Sequence, residues 1–153
     1  MDLFYSLWTM MFGSFIIQFV VMSIIMSNTV SNITFSVGKF YLSCIMALLM
    51  GVIEVGMNDY HTLYFSSIYN LSLPYYLSIG FALAVFVYLY RNQMYIDDSE
   101  YLKEMIEHHS MALLTSESIL EKTQSVRVRK LAENIISSQE AEINYMKQLV
   151  ETI

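Results

Sequence analysis

Charge is scarce in the first ninety residues of this 153-residue chain: Asp2, Lys39, Glu54 and Asp59 are all that residues 1–90 carry. Residues 91–153 carry the other eighteen charges, eleven acidic and seven basic. Overall, 14% of residues are charged and 56% hydrophobic, against roughly 25% charged in an ordinary soluble domain. The first part therefore reads as membrane and the second as a soluble helical domain. Basic residues are also few. A net charge of −6 excludes a phosphate-binding surface, and nucleic acid with it as a partner. There is one cysteine, Cys44. It cannot form an internal disulfide, and within an apolar run it reads as a small buried hydrophobe. Also missing are a glycine-rich phosphate loop, a nucleophile elbow and a cysteine near a histidine in sequence. No hydrolase or transferase constellation remains, and a non-catalytic protein is expected.

What is present comes first as long apolar runs. Residues 3–26 contain no charge, and a bilayer core needs about 20 apolar residues as helix. Tyr5 and Trp8 fit an interfacial aromatic belt. The run is too long, and lacks the basic flank and small-residue site, for a cleaved signal peptide. Residues 27–39 are rich in Ser, Asn and Thr, end in Gly38-Lys39, and read as a loop. Residues 40–57 form a second run, interrupted by Glu54. With Asn58-Asp59 close behind, Glu54 is expected about one turn from the helix end, at the interface, where a carboxylate is tolerable. Asn58 to Leu73 read as an aromatic loop along the interface. Pro74 suits a first helical turn and opens the third run, 74–90, closed by Arg91. Residues 1–92 are thus expected to be a three-span membrane domain in the lipid bilayer. Lys39 and Arg91 fall on the tail's side, which places the tail in the cytoplasm by the positive-inside rule. The glycosylation sequons at Asn32 and Asn70 fall on opposite faces, so at most one could be used.

The charged part, 97–153, predicts a helical hairpin. Asp97 is placed to cap a helix, with Glu100 three residues on. That helix should run to about Glu121-Lys122, and after the polar Thr123-Gln124-Ser125 a second should run from about Val126 to Thr152. The first helix has an apolar stripe at Leu102, Ile106, His109, Leu113, Ser116 and Leu120. The second has a comparable face built on Val128, Leu131, Ala132, Ile135, Gln139, Glu142, Met146 and Leu149. A break this short gives an antiparallel pair, with His109 opposite Gln139, Met105 opposite Ile143, and Leu102 opposite Met146. Some 55 residues in two helices bury little surface. A homo-oligomer completing a four-helix bundle is expected, and Asp at Leu113 or Ile135 should dissociate it.

Two of the three histidines stand in Met105-Ile106-Glu107-His108-His109-Ser110-Met111. Thioethers select soft metal, above all Cu(I), and imidazole accepts copper or zinc. Met105, His108, His109 and Met111 are therefore candidate metal ligands, with Met146 joining from the facing helix. Helical phase places His109 on the packing face and His108 about 100° round, toward the edge. The competing reading is a core histidine satisfied by Gln139, with the methionines as filling. A di-iron site of the ferritin type needs Glu-x-x-His repeats. No Glu lies three residues before either His, and the second helix has no His.

Met-Ile-x-His-His-x-x-Ala at Met105 to Ala112, followed by Leu131-Ala132-Glu133-Asn134-Ile135-Ile136-x-x-Gln139-x-x-Glu142-Ile143-x-x-Met146, resembles domain-of-unknown-function family 305, a family of ferritin-like helical proteins. The resemblance covers about Glu100 to Val150. The three spans before it resemble the family's membrane-anchored branch. Some soluble bacterial members are periplasmic copper binders with His and Met as suggested ligands. The resemblance thus implies copper at Met105, His108, His109, Met111 and Met146. The chain departs from the family in carrying Glu107 where Pro is usual before the His pair. It also lacks the further Met and His clusters of strong copper binders. Where the membrane-anchored branch has Lys between spans two and three, pointing its tail outward, this chain has none. Members also occur in large DNA viruses, which implies the alternative: a structural or assembly protein of a cell or virion membrane, with the His pair only packing. The fold expected is all-α, three transmembrane helices and then an antiparallel two-helix hairpin.

Overall fold

The computed structural model describes residues 2–65 and 71–153. Among them the chain is all α, with five long helices. They are α1 (Leu3–Met26), α2 (Val37–Phe65), α3 (Leu73–Arg91), α4 (Asp98–Leu120) and α5 (Val126–Val150). The first three are long and apolar enough to cross a membrane. α1 opens on Asp2, whose side chain accepts from Phe4 N at 3.3 Å. It passes through one widened turn at Ile17–Val21 without losing its run. α3 begins with Pro74 in its first turn, as its fixed φ and missing N–H favour. It ends beside Gln93, whose φ of 51° is left-handed.

α2 corrects the expected end of the second run. It continues past Met57 to Phe65, so Asn58, Asp59 and His61 are helical rather than loop. No Gly or Pro stands between Gly56 and Phe65 to stop it. Asp59, 5% exposed, also finds its partners off the helix. It accepts from Ser72 N at 3.2 Å and Ser72 Oγ at 2.6 Å. Glu54 is therefore about three turns from the helix end, not one. Its carboxylate instead accepts from Ser6 Oγ, so it lies level with the opening turn of α1. The Asn70 sequon begins outside the described residues.

The chain divides into two compact units. One is Met1–Phe19 with Phe40–Met94; the other is Val20–Lys39 with Tyr95–Ile153. The first has a core of Leu7, Leu48, Val55 and Ile79. Gly51 lets α1 come close: a Cβ there would stand 3.0 Å from Met11 Sδ. Tyr41 closes the end of this unit by donating to Met94 O at 3.0 Å.

The second unit is built on the hairpin. Asp97 caps α4 by accepting from Glu100 N at 2.9 Å, with Asp98 and Glu100 in the first turn. Ser125 caps α5 by accepting from Val128 N at 3.4 Å. Leu102, Ile106 and Leu113 of α4 pack with Ile143 and Met146 of α5, and Met105, Ile136, Leu149 and Val150 flank them. The α4 stripe falls where its spacing puts it. The α5 stripe holds in part: Ala132 and Met146 are buried and Leu149 packs on the core, but Val128 is 41% and Leu131 59% exposed, and Ile143, 3% exposed, takes their place. α5 carries apolar residues at two phases, and the hairpin buries the one through Ala132, Ile143 and Met146.

Candidate functional site

The Met105–Met111 stretch lies on α4 and points in three directions. Its first direction is a lock on residues 20–39. Glu107 takes its charge partner from Lys39 Nζ at 2.9 Å and further donors from Ser23 Oγ at 2.7 Å and Thr34 N at 3.3 Å. Lys39 also donates to Thr34 O at 2.9 Å and sits 4.8 Å from the Phe35 ring centre. One turn on, Ser110 is fully buried; it donates to Asn28 Oδ1 at 2.8 Å and accepts from Asn28 N at 2.9 Å. Two turns before Glu107, Glu100 accepts from Val37 N, the first residue of α2, at 2.6 Å. Glu104 lies against Gly38, where any Cβ would run into its carboxylate. The amino end of α2 thus meets three glutamates, the charge its dipole favours. The lock reaches α5 too: Lys147 Nζ donates to Asn32 Oδ1 at 2.5 Å. Asn32, 5% exposed, spends its amide on Asn28 Oδ1 at 2.8 Å, so its sequon is buried in the folded chain.

The second direction is the seam. His109 faces Glu142, not Gln139: Nδ1 lies 3.1 Å from Glu142 Oε2, with the imidazole 17% and the carboxylate 51% exposed. The approach is close in distance but off the line of a hydrogen bond, and that buried nitrogen has no hydrogen-bond partner. Ser138 Oγ donates to the other carboxylate oxygen at 3.1 Å and orients it. His109 thus reaches about one turn beyond the position expected of a fold centred on Gln124, while Met105 with Ile143 and Leu102 with Met146 share the core as expected.

The third direction is outward. His108 is exposed and Met111 half-buried. Met105 packs against the hairpin core and Met146, 8% exposed, is part of it. The five candidate ligands therefore do not converge. Met105 and Met146 are drawn inward, His108 and Met111 outward, and His109 stands between. Among the described residues no three His, Cys, Asp or Glu side chains come together as a metal group. The donors that do meet are an imidazole nitrogen and a carboxylate oxygen, with the Met105 thioether one turn before His109. Such a set fits a borderline ion such as Cu(II) or Zn(II) better than an all-sulfur site would. Sequence reasoning missed Glu142 as the partner of His109, and missed the lock. The signal for the lock was Glu100, Glu104, Glu107 and Ser110, polar residues spaced at three and four on one face of α4.

An apolar helical part followed by a capped antiparallel hairpin with paired histidines on its first helix defines the class. Residues 92–152 match the family described as Domain of unknown function (DUF305). An uncharacterized protein of Acanthamoeba polyphaga mimivirus is 31% identical over 142 residues, 93% of this chain and 89% of that protein. The chain belongs to the DUF305 family. No solved structure matches it.

Proposed function

We propose that this is a multi-pass membrane protein whose helical hairpin binds a metal ion, copper foremost, without catalysis. The observation that supports it is the buried His109 Nδ1, which lacks a hydrogen bond and stands 3.1 Å from an oriented carboxylate. Two ligands each about 2.0–2.1 Å from one ion are separated by about that much. His109 and Glu142 are the inner donors in this reading. Met105 supplies a thioether on the same side of α4, and His108 and Met111, turned away from the seam, are outer donors. Met146 contributes packing. Titration with Cu(I) and Cu(II) against a competing chelator tests it. Wild type should bind more tightly than micromolar. His109→Ala should weaken binding at least about a hundredfold, the upper end for loss of an outer-shell partner, and His108→Ala about tenfold. Wild-type binding weaker than micromolar would end the proposal.

A second reading is a structural or assembly protein of a membrane. Glu107 and Ser110, inside the motif, are committed to holding residues 20–39, and the similar protein is viral. It predicts stoichiometric abundance in a membrane assembly and no change of assembly when His108 and His109 are both replaced by Ala.

A further inference from the structure

The hairpin has two flanks. On one, residues 20–39 lie across both helices, held by Glu107 and Ser110 of α4 and Lys147 of α5. Helical phase, at about 100° per residue, fixes what the other flank carries. On α4 it is Tyr101, Met105, His108, Ala112, Thr115 and Ile119; on α5 it is Val128, Leu131, Ile135, Ser138, Glu142 and Tyr145. Each stripe lies about a quarter turn from the buried seam, on the side away from the lock. This flank is mostly apolar and open: Tyr101 is 52%, Ile119 40%, Leu131 59% and Tyr145 62% exposed. The locked flank of α5 carries Arg129, Glu133 and Glu140 instead. A helix with two apolar stripes a quarter turn apart occupies the corner of a four-helix bundle, with a neighbour on each.

We propose that a second copy of this chain covers this flank. The two hairpins are related by a twofold axis along their length, with α4 of each beside α5 of the other. Both stripes belong to one copy and lie on one flank, so a twofold sets each against its complement. The polar residues match as well. His109 and Glu142 are level across the seam, so His108, exposed on α4, stands level with Glu142 on the neighbouring stripe. The twofold places His108 of each copy against the carboxylate of Glu142 of the other. A hairpin with so small a core gains from a second layer.

The test uses the full chain in nanodiscs, with EDTA present so that metal plays no part. Light scattering should give a dimer mass. Leu131→Asp changes an exposed position, so helix content by circular dichroism should stay constant while the mass falls to that of a monomer. His108→Glu should weaken the dimer at least tenfold, and adding Glu142→Lys should recover it. In membranes, Ile119→Cys and Leu131→Cys, on separate co-expressed copies with Cys44→Ser, should cross-link through a short bismaleimide. A monomeric wild type, a dimer indifferent to Leu131→Asp, or cross-links absent between the copies would each overturn the proposal. The last with Leu131 shielded from aqueous reagents would assign the flank to lipid.

Discussion

Glu107→Ala is expected to destabilise the second unit by about 1.5–3 kcal/mol, the worth of hydrogen bonds made to a charged group. The side chains of Lys39 and Glu107 are 12% and 20% exposed, so water screens the pair weakly. The substitution takes one carboxylate from Lys39, which keeps Thr34 O and the Phe35 ring, and removes the acceptor of Ser23 Oγ and Thr34 N. Glu107→Gln keeps an oxygen for Ser23 but loses the charge, and should cost about half as much. Limited proteolysis reads the effect locally: cleavage within residues 27–36 should rise sharply in Glu107→Ala while α4 and α5 remain helical. A double-mutant cycle with Lys39→Ala should return a coupling above about 1 kcal/mol. A coupling near zero would mean that residues 20–39 are held by Glu100, Ser110 and Lys147 without the ion pair, and that Glu107 only shields the cluster.

Leu113→Asp should unfold the hairpin outright. Leu113 is 2% exposed at the centre of the core with Ile106 and Ile143, and an unpaired carboxylate there has no partner. Even Leu113→Ala should cost about 2–5 kcal/mol. Ile135→Asp is the contrast. Ile135 is half-buried, on the open flank, so the change should leave the helices intact and act on association. The two substitutions were expected from the sequence to do the same thing; the seam and the flank separate them. Thermal unfolding followed by circular dichroism distinguishes them. If Leu113→Asp kept a cooperative transition at the wild-type temperature, the assigned seam would be wrong.

Much of this protein was legible in its residues. Long uncharged runs define three apolar helices because no other regular structure satisfies every backbone group within one segment. Asp97 with Glu100 marks the start of α4, since capping depends only on neighbours within one turn. The α4 stripe follows from a single apolar phase. α5 was less legible, because Leu131 and Ile143 offer two phases and local pattern does not say which meets α4. The end of α2 escaped for a related reason. Asn58 and Asp59 look like loop residues, and it is Ser72 and Tyr76, thirteen and more positions on, that help satisfy the carboxylate and let the helix continue.

The site divides the same way. The sequence by itself determined that the two adjacent histidines point apart, because 100° per residue leaves no choice. It also set residue types suited to metal beside a membrane-like segment. Tertiary structure alone decided that His109 meets Glu142 and that Glu107 holds Lys39. These are contacts between residues 33 to 68 positions apart, and their register is set by the whole seam rather than by either helix. Periodicity fixes a direction around one helix; only packing fixes what stands in that direction.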